Sequence, residues 1–412
     1  MGWRAARVPY AEVVRLRDEL DVPEPVAWTL ARRGMSDPAR AREFLEADGP
    51  LAPPDDIPGV PEAAERLMRA ISAGERVVVH GDYDCDGVTS TALMSAAIGA
   101  RGGQVRPFLP SRFEDGYGVS EATVRRLAEE GCDLLVCVDC GTTAVEELSL
   151  ATELGLDVLV CDHHLAAGRR PPGILVNPAL GPSRDDLPAA AGVVFAITRA
   201  MVALDAGGIG PGEEDGIDLV ALATVADAVP LVGENRRLVA RGLAALRAAP
   251  RPGIAALAGA AGSDPRAMTA RGLGFTLGPA INAAGRMTHA EEALALLVAE
   301  DQAAARPVAD RLWSLNEERR QVERAIVEEA VAIVEAEPPE RQKADALVVV
   351  GDGWHEGVVG IVASRMVDRF ERPAIVLSRD GEVAKGSGRS LPGVDLHALV
   401  ESASEGLTRW GG

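Results

Sequence analysis

Between about residues 62 and 230, short apolar runs alternate with amphipathic stretches, and several of the runs end directly in a cluster of acidic residues and histidines. The runs fall at 76–80, 104–109, 133–138, 156–161 and 173–176, and the stretches at 89–101, 120–130 and 143–154 between them have helical character. This alternation predicts βαβ units and a parallel sheet. Open parallel sheets take their ligands at the carboxyl ends of their strands, and most of the clusters stand at such ends. His80-Gly-Asp-Tyr-Asp-Cys-Asp-Gly87 follows the run RVVV, Asp139 follows LLVCV, and Asp162-His163-His164 follows LDVLVC. A further carboxylate, Asp227, sits in the nearly uncharged helical stretch LVALATVADAVPL.

The rest of the chain frames this unit. Residues 1–60 read as short helices and turns ending in a Pro-rich connector, LAPPDDIP. Residues 190–204 and 216–228 read as helices, and 235–300 as mostly helix with a Gly-rich interruption at 271–286. Residues 298–337 hold no glycine and a single proline, Pro307. Leu312, Leu315, Val322, Ile326 and Ile333 recur there at helical spacing, which predicts a linker helix with one packed and one solvated face. A second, smaller α/β unit is expected over 338–412. The fold class is therefore α/β: a parallel-sheet domain over 61–297 joined by a long helix to a smaller α/β domain.

At 412 residues, 47% of them hydrophobic, the chain can build more than one core, but with only 3% aromatics those cores must be Ala, Val and Leu. The net charge of −20 argues against a broad nucleic-acid-binding surface, while leaving room for a small basic groove. Lys343 and Lys385 are the only lysines, so positive charge is nearly all Arg. The opening segment has no apolar signal-like core, and no apolar stretch approaches the ~18 residues of a membrane span. Five cysteines are an odd number for a disulfide framework, so a reduced, cytoplasmic location is expected.

The first cluster packs His80, Asp82, Asp84 and Asp86 into one turn. A solvated acidic turn is the ordinary reading of Asp and Gly together, but this density of carboxylate beside an imidazole favours a cation. Asp139 reads equally as a helix N-cap or as a bridging carboxylate. The paired histidines His163 and His164 suit a transition metal, and Asp227 must be paired, capped or metal-bound in so apolar a stretch. Imidazole with carboxylate suggests Mn²⁺, Fe²⁺ or Zn²⁺; the number of carboxylates favours two Mn²⁺ ions, with Mg²⁺ as the alternative. Such a pair implies phosphodiester or phosphoanhydride hydrolysis. Cys137 and Cys140 have the spacing of half a zinc motif, but there is no second pair, so buried structural cysteines are expected. GPAINAAGRM places Asn282 and Arg286 in a Gly-bounded loop, and KGSGRS places Ser387, Gly388 and Arg389 in another; both are candidates for holding an anion. Tyr83, Phe113, Tyr117 and Trp354 are the aromatics available to stack on a base, with His355 beside the last.

These segments carry a resemblance. HGDYDCDGVTS, VDCGTT, CDHH, TVADAVPL, INAAGRM, GDGWHEGVVGIVASR and KGSGRS, in that order, resemble the DHH phosphoesterase superfamily and, within it, the RecJ-type family of single-strand-specific 5′→3′ exonucleases. The likeness covers roughly residues 60–412. It implies a DHH catalytic domain over 61–297, a linker helix over 298–337 and a DHHA1-type domain from 338. It implies that His80 and Asp84 serve one ion, Asp86, His163 and Asp227 the other, and that Asp139 bridges them. Asp82, Asp162 and His164 would support the ligands or the chemistry. Asn282, Arg286, His355, Ser387, Gly388 and Arg389 would line the path of a single strand with a 5′ phosphate. The family also implies a single-strand-binding protein and a RecQ-like helicase as partners, and a role in DNA repair and recombination. The sequence stops where the family's second module continues into a His-containing motif and a further nucleic-acid-binding domain, so grip on the strand and processivity are expected to need that remainder. Alternatives are a DHH phosphodiesterase of short oligonucleotides or cyclic dinucleotides, more distantly a manganese pyrophosphatase, and a scaffold that has lost its ligands. The scaffold is disfavoured because every ligand position holds a competent residue.

Overall fold

The computed structural model describes residues 7–113, 118–165, 168–205, 212–338, 340, 343–408 and 410–411. Helices Tyr10–Leu20, Glu24–Arg32 and Pro38–Glu46 form a small N-terminal unit around Val13, Leu16 and Leu30. There follow five strands: β1 Arg76–His80, β2 Gln104–Phe108, β3 Leu134–Val138, β4 Asp157–Cys161 and β5 Ile174–Val176. They form one sheet of order β2-β1-β3-β4-β5, parallel throughout. Each falls on a run anticipated from sequence. Buried on both faces, β3 is apolar at every position, as a covered parallel strand must be.

The strand order reverses between β1 and β3, and ligands of open α/β sheets bind at such a switch point. One face of the sheet packs on a large core with helices Cys85–Gly99, Ala190–Leu204 and Ile217–Ala226. The other packs on a smaller one with helices Glu121–Glu129 and Val145–Glu153. A second sheet of order β6-β7-β8 is built from Leu347–Asp352, Ala374–Asp380 and Val383–Arg389, with β7 and β8 antiparallel. Helix Glu356–Phe370 covers one face of it. The long helix Gln302–Ala336 runs from the first core into the second. Among the described residues no helix is long and apolar enough to cross a membrane.

Two expectations from glycine content are corrected. The Gly-rich stretch at 271–286 does not interrupt the helices: a π-helical turn, Leu273–Leu277, leads into helix Gly278–Met287, which carries Asn282 and Arg286. Its glycines are there for contact: a Cβ on Gly285 would lie 2.4 Å from the backbone oxygen of Tyr83. KGSGRS is likewise no loop but most of β8, where a Cβ on Gly386 would lie 1.9 Å from the Val376 carbonyl of β7.

Gly285→Ala separates these readings of glycine. In an exposed helix the change would stabilise by about 1 kcal/mol. Against the Tyr83 backbone it should instead cost about 1–3 kcal/mol through overpacking, measured as a lowered denaturant midpoint at unchanged slope.

Candidate metal centre and its surroundings

The carboxyl edge of the sheet gathers the sequence clusters into one place. The ladder runs past the strand ends: Gly81 N–H bonds to Phe108 O, Asp139 N–H to Cys161 O and Asp162 N–H to Val176 O, each at 3.0 Å. The acidic residues therefore leave the sheet from fixed positions. Asp84 caps helix Cys85–Gly99, its Oδ1 accepting from the Asp86 and Gly87 amides at 2.9 and 3.1 Å. The Asp86 carboxylate reaches the start of helix Ala190–Leu204 and accepts from the Ala190 and Ala191 amides at 2.7 and 2.9 Å, where the helix dipole favours an anion. Asn282 completes the turn, its Oδ1 accepting from the Cys85 amide at 2.6 Å.

Asp139 does not cap the next helix, which begins at Val145 with Ala144 in the cap position. Instead it is buried in a left-handed conformation, φ 60°, a conformation that Asp and Asn tolerate better than most side chains. His163 Nε2 lies 3.4 Å from Asp139 Oδ1 and 3.9 Å from both Asp86 Oδ2 and Asp227 Oδ2. Two sets of potential ligands result, Asp86–His163–Asp227 and Asp82–Asp84–Asp139, and a third, of Asp139, His163 and His164, links them. His80 is fully buried at the end of β1, its Nδ1 3.7 Å from Cys140 Sγ. Asp162 stands apart as a brace. Its Oδ1 meets the His163 and His164 amides and the His164 ring, and its Oδ2 the Thr142 amide. Asn177 ties this brace to β5 by donating to Thr142 Oγ1 and His164 O.

The electrostatics fit a cation site. Burial, then the neighbouring Asp84, raise Asp82 to about 8. The same two causes raise Asp227 to about 6. Burial and the surrounding carboxylates hold Asp86 and Asp139 well above the ordinary range. Asp162 goes the other way: burial opposes its charge, but hydrogen bonds from His164 and Thr142 outweigh that and lower it. His164 is raised by its bond to Asp162, whereas burial lowers His163 and favours the neutral imidazole a metal requires. Asp82 Oδ1 is buried with no hydrogen-bond partner among the described residues. Buried orphans of this kind point to an ion or water at the position.

The substrate-side candidates gather about the start of helix Glu356–Phe370. Arg286 donates to Gly357 O at 3.2 Å, and burial beside Arg112 and Arg319 lowers it to about 10. His355 caps that helix, its Nδ1 accepting from Gly357 N–H, with Phe113 edge-on at 5.9 Å. Ser387 and Arg389 of β8 lie against Gly360 on the same helix, and Gly388 packs toward Leu396. Trp354 is corrected: it is buried in the second core with its Nε1 on Glu329 at 2.8 Å, so it offers no stacking face. Tyr83 is covered by Arg112 at 4.0 Å, and Tyr117 lies outside the described residues. Cys137 and Cys140 are buried as expected; Arg112, Thr142 and Asn177 escape sequence reasoning, and only VDCGTT, which places Thr142 close to Asp139, signals any of them.

The raised carboxylates set a pH dependence. Their folded-state values exceed the unfolded one near 4, so the stability they contribute is full below about pH 4 and is lost as pH rises through 6 and 8. In chelator, the denaturant midpoint should fall between pH 5 and pH 8 by an amount worth on the order of 2 kcal/mol. Saturating Mn²⁺ should remove most of that difference.

Comparison with known proteins places this geometry. The DHH family, N-terminal domain, matches residues 76–224, and the DHHA1 domain matches 343–412. The single-stranded-DNA-specific exonuclease RecJ of Bacillus subtilis is 37% identical over 421 residues, covering 100% of this chain and 52% of the relative. That of Thermus thermophilus is 37% identical, covering 100% and 58%. RecJ of Escherichia coli is 37% identical over 92% of this chain and 69% of its own length. The chain thus spans little more than half of the first two. The crystal structure of Thermus thermophilus RecJ in complex with Mn²⁺ superposes with a TM-score of 0.86 at 35% identity, covering 100% of this chain and 58% of that one. Exonuclease RecJ bound to manganese gives 0.76 at 38% identity, covering 88% and 89%. With a parallel sheet that brings its acidic and histidine clusters to one edge, and identity of this extent along its length, the chain belongs to the RecJ family of DHH-domain proteins.

Proposed function

We propose that the chain is the catalytic part of a metal-dependent exonuclease that hydrolyses single-stranded DNA from the 5′ end and releases 5′ mononucleotides, in DNA repair and recombination. The observation that carries this reading is the meeting of two ligand sets at His163 and Asp139, 3.4 Å apart. We take His80 and Asp84 for one ion, Asp86, His163 and Asp227 for the other, and Asp139 between them. Two divalent cations, Mn²⁺ or Mg²⁺, would there supply a nucleophilic water at neutral pH and neutralise charge on the phosphoryl oxygens.

The chain's own residues do the rest. Asp82, buried beside Asp84 and Asp139, would support that ligand set. Asp162 holds the His164 ring by its Nδ1, which favours the protonated imidazole, half-exposed at the edge of the centre. Arg286, Ser387 and Arg389, with Asn282, Gly388 and His355 around them, would receive the 5′ phosphate. Arg is suited to the planar, two-pronged contact that a phosphate offers. The proposed domain limits are 61–297, 298–337 and 338–412. A single-strand-binding protein and a helicase remain proposed partners, and a cytoplasmic location is proposed with them.

A 5′-labelled single-stranded oligonucleotide tests the reading. With Mn²⁺, labelled mononucleotide should appear first, and EDTA should abolish it. Loss of a residue behind a metal ligand typically costs 10–100-fold, so Asp139→Ala, which removes a ligand itself, should cost at least about 100-fold. Hydrolysis of dinucleotides or cyclic dinucleotides with no attack on the longer strand would move the assignment to the small-substrate phosphodiesterases.

A further inference from the structure

The long helix Gln302–Ala336 joins two cores of different kind. Its first half buries Ala305, Ala309, Leu312 and Leu315 in the first core. Its last turns bury Ile326, Ala330 and Val334 in the second. Between them the apolar stripe breaks: Asn316, Arg319 and Glu323 are buried instead. Apolar residues of similar volume would avoid the cost of desolvating these charges. Buried ionic groups placed where they cost stability are best attested as devices that fix register.

The bonding runs across the boundary. Arg319 donates to Asn316 Oδ1 at 3.0 Å and to Glu323 Oε2 at 3.1 Å. The other oxygen, Glu323 Oε1, accepts from Arg365 Nε at 3.0 Å. Arg365 lies on helix Glu356–Phe370, and Glu323 is therefore shared between the linker and the second domain. That same helix presents Gly357 to Arg286 and Gly360 to Ser387 and Arg389. Positions three apart share a helix face, so one face of helix Glu356–Phe370 meets the candidate phosphate-binding groups of both domains. The approach is tight: a Cβ on Gly357 would lie 2.1 Å from the Arg286 carbonyl oxygen. Three guanidinium groups, of Arg286, Arg319 and Arg365, crowd here, and Arg319 contributes to lowering Arg286. Charge repulsion alone would drive the two sides apart.

We infer that Glu323 is a positioning residue for the cleft: by holding Arg319 and Arg365 together it sets the distance between Arg286 on the first domain and Ser387 and Arg389 on the second. The role of those three groups toward a 5′ phosphate rests on the function proposed above; the mechanical role of Glu323 does not.

The test has an arm for each. All five native cysteines are buried, so spin labels can be placed on Leu154→Cys in the first domain and Val348→Cys in the second, positions 41% and 59% exposed. Pulsed dipolar spectroscopy should give one narrow distance distribution in the parent, and a broadened or longer one in Glu323→Ala. Arg365→Ala should reproduce it, because its side chain is 58% exposed and its loss leaves the fold intact. The double variant should add little to either single change, the signature of one shared interaction. In kinetics, both variants should raise KM for a 5′-phosphorylated strand about tenfold, with kcat within twofold and Mn²⁺ affinity unchanged. A distribution already broad in the parent, or one that Arg365→Ala leaves unaltered, would overturn the positioning role. So would kcat and Mn²⁺ affinity falling together with KM. If the parent cleaves no DNA while the spectroscopic pattern holds, the proposed function fails and the joint stands.

Discussion

Several carboxylates share a space at the edge of the β1–β3–β4 sheet where, by charge alone, they would repel one another. What holds them there is the backbone. Asp84 takes two amides of its own turn, Asp86 the first amides of helix Ala190–Leu204, and Asp162 the amides of Thr142, His163 and His164. Each bond uses a donor that a helix start or strand end leaves over, so the centre is built from what the fold cannot otherwise satisfy. The large core beneath supplies the rigidity, and burial together with mutual repulsion raises the carboxylates.

Much of this was readable in the chain before folding. Five apolar runs predicted the five strands because a parallel sheet covered on both faces must be apolar throughout. The clusters at their ends predicted the centre because strand ends and ligand sites coincide in such sheets. The linker helix was legible from Leu312, Leu315 and Ile326 at helical spacing. What failed was the reading of glycine. In INAAGRM and KGSGRS glycine suggests loops, whereas Gly285 and Gly386 make room for a neighbouring backbone. A close approach between segments some 200 residues apart, as between Gly285 and Tyr83, leaves no local pattern. The same holds for Asn177 and Thr142, single polar residues whose purpose appears only once β3, β4 and β5 are side by side.

The two domains meet through few elements, chiefly the long helix and the contact of helix Gly278–Met287 with helix Glu356–Phe370. The candidate metal ligands come wholly from the first domain, while the candidate anion-holding groups come from both. The two sets are therefore separable in this architecture: the candidate metal centre lies within one domain, and the spacing of the anion-holding groups depends on how the second is set against it.

The left-handed backbone at Asp139 has an evolutionary consequence. Such a conformation favours glycine, asparagine and aspartate over most other side chains. Of these only aspartate brings a charge, and asparagine is a single nucleotide change from it in the genetic code. Drift at this codon that respects the backbone thus reaches a neutral residue in one step, by glycine or by the isosteric amide, which preserves the shape and silences the charge. One substitution at this position can thus take a charge out of the candidate metal centre without disturbing the backbone that presents it.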